Sequence, residues 1–198
     1  MNKVLLTAVA TGVLALSACK QSGTTVSNNQ TQGMADEAPV ENSGLGNGMA
    51  DGNMGGAANA SANQAYVQDA ATSDMFEIQS SQIALDKATL PSAKTYAQMM
   101  IDEHGKSTSE LKAAAQSAGL TVPTALPADK QAQVEALRAL SGAGFDQRYL
   151  ADQRAGHQET LAKVNSYLAS APAGPLKDHA AKVTGVVQKH LNALEKIK

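Results

Sequence analysis

The 198-residue chain has one cysteine, no tryptophan, two phenylalanines and four tyrosines. With Cys19 the only thiol, no intrachain disulfide can form and the fold must stand on packing. Aromatics this few leave little for bases to stack on. No basic run is interleaved with rings, which argues against nucleic acid as a partner. Charge is sparse too: 16 basic and 18 acidic residues give a net charge of −2, too mild to steer the chain toward polyanions or acidic lipid. No Gly-x-Ser-x-Gly elbow and no glycine-rich phosphate loop is present, so the common nucleophilic and phosphate-binding chemistries lack their local signatures. The apolar run from Val4 to Leu16 falls short of the roughly 20 residues that a bilayer-spanning helix requires.

That run follows Lys3 and ends in Leu16-Ser17-Ala18-Cys19, the charged, apolar and small-residue succession of a secretory signal. Leu-Ser-Ala-Cys is also the lipobox pattern, so residues 1–18 are expected to be removed and Cys19 lipidated. Acylation by more than one chain, at about 0.8 kcal/mol per buried methylene, makes a durable anchor. It also consumes the thiol, which rules out thiol catalysis. Loss of Lys3 with the leader takes the net charge from −2 to −3. The residue after the cysteine is Lys20, where many lipoproteins retained in the inner membrane resemble one another in carrying Asp. The expected location is therefore the outer membrane, with the protein facing the periplasm.

Residues 19–62 are rich in Gly, Asn, Ser, Ala and Gln and poor in branched aliphatics, so they cannot bury enough surface to offset the entropy of ordering. They read as a flexible tether. Gly-Met-Ala-Asp occurs twice there, from Gly33 and from Gly48, and Met54 follows. Thioethers suit Cu(I), but slippage in low-complexity sequence is the favoured explanation.

From residue 63 to 198 apolar residues recur at three and four, the period of amphipathic helices. The pattern predicts a short helix over 64–71 and a longer one from a Thr72 or Ser73 cap to 89. Pro91 then opens a helix to 118 that stops at Gly119. A shorter helix follows over 128–140, a long one over 144–169, and a last one from 176 onward. Long helices joined by short loops make antiparallel neighbours, so the expected fold is all-α, a four-helix up-and-down bundle with an extra short helix. Its expected core is Ile78, Leu85, Tyr96, Met100, Ile101, Leu111, Leu137, Leu140, Tyr149, Leu161, Val164, Leu168, Val183, Val187, Leu191 and Leu194.

Histidines fall on the apolar stripes. His104 shares one with Ala97, Met100 and Leu111, His157 with Tyr149, Leu161 and Val164, and His190 with Val183, Val187 and Leu194. Three inward imidazoles from three helices make a candidate pocket for Zn, Cu or Fe. Glu77 is the carboxylate placed to complete it, with Asp102 and Glu103 as outer partners. His179 precedes His190 by 11 residues, about 16 Å along a helix, too far to join the same site. The competing explanation makes each histidine a neutral, hydrogen-bonded packing residue.

Met99-Met100-Ile101-Asp102-Glu103-His104, Phe145-Asp146-Gln147-Arg148-Tyr149-Leu150 leading to His157-Gln158-Glu159, and His190-Leu191 together resemble the exported bundle family catalogued as domain of unknown function 4142. The resemblance covers residues 63–194. It implies a ferritin-like bundle, often an envelope lipoprotein, of no agreed activity, with its characteristic histidines at His104, His157 and His190 and its first-helix Glu at Glu77; His179 does not match. Ferritin-like di-iron sites use four carboxylates and a Glu-x-x-His pair on each of two helices. Here Ile101, Arg154 and Val187 stand three residues before the histidines, so a di-iron oxidase fails on ligand count. The expected role is metal binding or structural support in the envelope rather than enzymatic, a metal-dependent oxidase being the one enzyme class left open.

Overall fold

The structure is a computed structural model that describes residues 54–198. The signal, the lipobox, Cys19 and most of the tether lie outside the described residues. Five helices run in order: α1 (Met54–Lys87), α2 (Pro91–Ser117), α3 (Ala128–Arg138), α4 (Gly142–Ser170) and α5 (Pro175–Leu194). No described helix is long and apolar enough to cross a membrane.

The N-terminal boundary departs from the composition reading. Met54–Lys87 is one continuous helix, so residues 54–62 are helical rather than tether, and no break separates a short helix from a long one. Ala57, Ala58, Ala60 and Ala62 are strong helix formers that sustain an exposed extension without burying anything. Ser73 does not cap a helix; its hydroxyl bonds Thr160 of α4 at 3.0 Å. The other termini follow the local signals. Pro91 occupies the first turn of α2. Beyond the other end of that helix Gly119 adopts φ +67°, a conformation that favours glycine. This lets the Leu120 N–H bond back to the Ala115 carbonyl at 2.9 Å.

Helix α1 packs on α2 and α4, and α5 packs on α2 and α4, so four helices form a ring with α3 laid against α1 and α4. Cross-helix bonds fix the directions. Asn63 meets Tyr167 and Ser81 meets Tyr149, so α1 and α4 are antiparallel. Glu103 meets His190 while Ser107 meets His179, so α2 and α5 are antiparallel too. Every neighbouring pair is thus antiparallel. The chain achieves this with α2 and α4 running the same way on a diagonal, joined by a crossover that contains α3, which is the single long connection of ferritin-like bundles.

The apolar core is in two parts. One gathers Phe76, Ile83, Tyr96, Met100, Val134, Leu137, Phe145, Tyr149 and Leu194. The other gathers Tyr66, Val67, Leu111, Val164, Tyr167, Leu176 and Ala180. Of the expected core, Tyr96, Met100, Leu111, Leu137, Tyr149, Val164, Val187 and Leu194 are buried. Ile78, Leu85, Ile101, Leu140, Leu161, Leu168, Val183 and Leu191 are half-buried. In α1 the error is one of phase: the helix buries Phe76 and Ile83 along with Asp74, Glu77, Ser80 and Ser81.

Candidate metal centre

Among the residues that α1, α2, α4 and α5 bury are Asp74, Glu77, Ser80, His104, Gln153, His157 and His190, a polar group belonging to neither apolar cluster. Helical phase explains how the three histidines reach it. His104 lies one turn beyond Met100, His157 one turn beyond Gln153, and His190 three residues beyond Val187, so each follows a buried residue on its own stripe.

One ring nitrogen from each of His104, His157 and His190 lies within 4.8 Å of the other two. The ring centroids are 5.7, 5.3 and 5.0 Å apart. Hydrogen bonding assigns the remaining nitrogens. His104 Nδ1 donates to the Asp74 carboxylate at 2.8 Å. His157 Nδ1 donates to the Gln153 backbone carbonyl at 2.8 Å. His190 Nε2 donates to the Glu103 carboxylate at 2.7 Å. Each imidazole therefore has one N–H tied to an acceptor, the outer arrangement that fixes tautomer and ring orientation in histidine metal sites.

The other nitrogens are left with lone pairs. His104 Nε2 is buried and has no partner. His157 Nε2 and His190 Nδ1 face each other at 2.8 Å. Since a carbonyl and a carboxylate claim the outer N–H groups, these two inner nitrogens must share a proton at that distance, which a metal would displace as the rings move apart. Tetrahedral coordination at about 2.0–2.1 Å separates two nitrogen ligands by about 3.3 Å. The observed spacings bracket that value, so small movements convert the group into a three-nitrogen site.

Electrostatics distinguish the rings. Burial alone would lower the His104 pKa, but the hydrogen bond and charge of Asp74, with Glu77 and Glu103 behind it, outweigh burial and raise it. His190 is pulled down to about 4 by burial and by the charges of His157 and His104, against the opposing pull of Glu103. It is therefore neutral at physiological pH, the state a metal ligand requires.

The sequence-predicted residues separate into two groups. His104, His157 and His190 are brought together. Glu77 is buried beside them, but its Oε1 is 3.4 Å from Nδ1 of His157, behind that ring, and it is not among the mutually close ligand atoms. Glu103 is the outer partner of His190, whereas Asp102 bonds only Gln98 on the exposed face of α2. Asp74, the acceptor for His104, is a site residue that hydropathy spacing does not single out. Its signal was available, since it stands three residues before Glu77 on the same face. His179 lies apart: Nδ1 accepts from Tyr66 Oη at 2.6 Å and Nε2 donates to the Ser107 carbonyl at 3.2 Å.

These features define a ferritin-like helical bundle with three buried, pre-oriented histidines. A crystal structure of a DUF305 fragment from Deinococcus radiodurans has the same fold, with a TM-score of 0.60 at 13% identity over 68% of this chain and 93% of that one. The chain belongs to the family described as domain of unknown function (DUF4142), whose model matches residues 49–197. No curated protein matches the chain.

Proposed function

We propose that this protein is a lipid-anchored, metal-binding module of the cell envelope, holding one transition-metal ion on His104, His157 and His190. The observation that carries the reading is the pairing of each histidine's outer N–H with a fixed acceptor, with the partnerless, buried Nε2 of His104 turned away from Asp74. Imidazole donors suit Zn, Cu and Fe. The role is binding rather than catalysis. The anchor is Cys19, supported by the Leu16-Ser17-Ala18-Cys19 pattern and by the absence of any other cysteine. Lys20 favours the outer membrane, with the bundle facing the periplasm.

The test is metal uptake by the chain from Lys20 to Lys198. Calorimetric titration with Zn(II) or Cu(II) should give close to one equivalent, and His157→Ala should abolish it while circular dichroism still reports a folded bundle. A folded, pure protein that takes up neither ion refutes the metal reading. Radiolabelled palmitate should enter the full chain and not its Cys19→Ser variant.

The direct 2.8 Å bond between His157 and His190 favours a second reading, in which the histidines are a packing device that needs one shared proton and no metal. In that case His157→Ala lowers thermal stability and nothing else.

A further inference from the structure

Beside the histidines the bundle contains a cavity of about 770 Å³. Pockets of about 300–1,000 Å³ are the usual size for small organic ligands. Its walls include Tyr66, Phe76, Val164, Tyr167 and Val183, and are mostly apolar. At the candidate ligands it is lined by His104 itself, Glu77, Gly156 beside His157 in α4, and Val187 one turn before His190 in α5, and elsewhere charged side chains such as Lys130, Glu159, Lys163 and Lys182 border it.

Two buried acceptors lining the cavity have no partner, His104 Nε2 and Glu77 Oε2. Tyr96 Oη and Gln153 Oε1 are unpartnered as well but do not line the cavity. Asp74 accepts from His104 and Thr108, Ser73 bonds Thr160, and Tyr66 donates to His179. With a metal on the three histidines, a tetrahedral ion retains one open position, and Glu77 Oε2 remains an acceptor in want of a donor.

We infer that the cavity binds a small amphiphile whose apolar body fills the space between the helices and whose head gives one oxygen to the metal and one N–H or O–H to Glu77. This rests on the metal reading above and adds to it an exogenous ligand of stated chemistry. A fatty hydroxamate has that head and tail. Each methylene it buries should raise affinity about fourfold.

The experiment uses the chain from Lys20 to Lys198 loaded with Co(II), whose visible spectrum reports coordination. Octanohydroxamate should change the spectrum at a concentration at least about a hundredfold below acetohydroxamate, because the tails differ by six methylenes. Val183→Phe places bulk inside the cavity, and Gly185→Leu does so at a rim position where an added Cβ meets nothing within 4 Å. Either variant should remove the tail-length advantage while leaving cobalt uptake and the acetohydroxamate response in place. Glu77→Leu, which removes the acceptor, should weaken octanohydroxamate more than octanoate and so narrow the preference between them. A chain that takes no cobalt refutes the metal reading and this inference with it. A chain that takes cobalt but responds equally to both hydroxamates, or whose Val183→Phe and Gly185→Leu variants keep the tail-length advantage, refutes the cavity ligand alone.

Discussion

Substituting Asp74 by Asn isolates one carboxylate and leaves the shape of the site intact. In the wild type Asp74 accepts from His104 Nδ1 at 2.8 Å and from Thr108 Oγ1 at 3.1 Å. An asparagine can keep the first bond through its amide oxygen and reverse the second, since the threonine hydroxyl also accepts. What is lost is charge behind the imidazole. Removing such an outer partner costs about 10- to 100-fold in metal affinity, and with the hydrogen bond kept the lower end, about tenfold, applies. That corresponds to about 1.4 kcal/mol. The same substitution moves the proton competition. His104 must be neutral to bind metal, and Asp74 raises its pKa. In the wild type affinity therefore falls as pH drops through that raised value, and in Asp74→Asn the fall begins at lower pH. The deficit should be largest near pH 8 and shrink toward pH 6, as read by competition with a chromophoric zinc chelator across that range. Equal affinities at pH 8, or a deficit that widens on acidification, would refute the assignment of His104 as a ligand oriented by Asp74.

Other outcomes follow from single contacts. A Cβ at Gly156 would meet Glu77 Oε1 at 3.0 Å, whereas one at Gly105 would meet nothing within 4 Å. Gly105→Ala should therefore raise stability by up to about 1 kcal/mol in thermal melts, and Gly156→Ala should give no such gain. Tyr66→Phe strands the buried Nδ1 of His179 and should cost about 1–3 kcal/mol. Burial lowers the His179 pKa below its ordinary 6.5. The unfolded chain then binds the proton more readily, so this residue's contribution is complete above pH 6.5 and is lost as pH falls toward its folded value. His179→Gln should accordingly flatten the acid limb of the stability profile. Leu111→Ala, at a fully buried position, should cost about 2–5 kcal/mol in urea unfolding.

Much of this architecture was legible from spacing alone. The three-and-four recurrence placed α2, α4 and α5, and it turned His104, His157 and His190 inward because each sits in phase with apolar residues of its own helix. Helix α1 was harder for a physical reason. Its buried residues are Tyr66, Val67, Ala70, Ala71, Asp74, Phe76, Glu77, Ser80, Ser81, Ile83 and Ala84. A hydropathy pattern treats Asp74, Glu77, Ser80 and Ser81 as wet, which breaks the apolar stripe in its middle. Hydropathy therefore sets the phase by Ile78 and Leu85 and does not single out Asp74, and Glu77, which the pattern places toward the histidines, approaches His157 on its Nδ1 side. The crossover is a similar case: periodicity fixes which residues are helical but not whether two helices run the same way, and that became visible only from cross-helix bonds such as Ser81 to Tyr149.

The bundle supplies its own standard for what a structural histidine looks like. His179 is buried, yet both of its nitrogens are partnered, one by Tyr66 and one by the Ser107 carbonyl, and every proton is accounted for. His104 is comparably buried and has only its Asp74 side occupied. A buried polar atom left without a partner is expensive, of the order of 1–3 kcal/mol, and apolar side chains of similar volume would fill the same space without that cost. If packing were the whole purpose, the polar layer would be expected to close its bonds as His179 does. It leaves open the nitrogen of His104, and it sets the inner nitrogens of His157 and His190 2.8 Å apart, with one proton shared between two rings whose outer N–H groups are already engaged. That proton leaves His104 Nε2 without a partner, whereas a metal in its place, with the two rings moved slightly apart, would engage all three nitrogens.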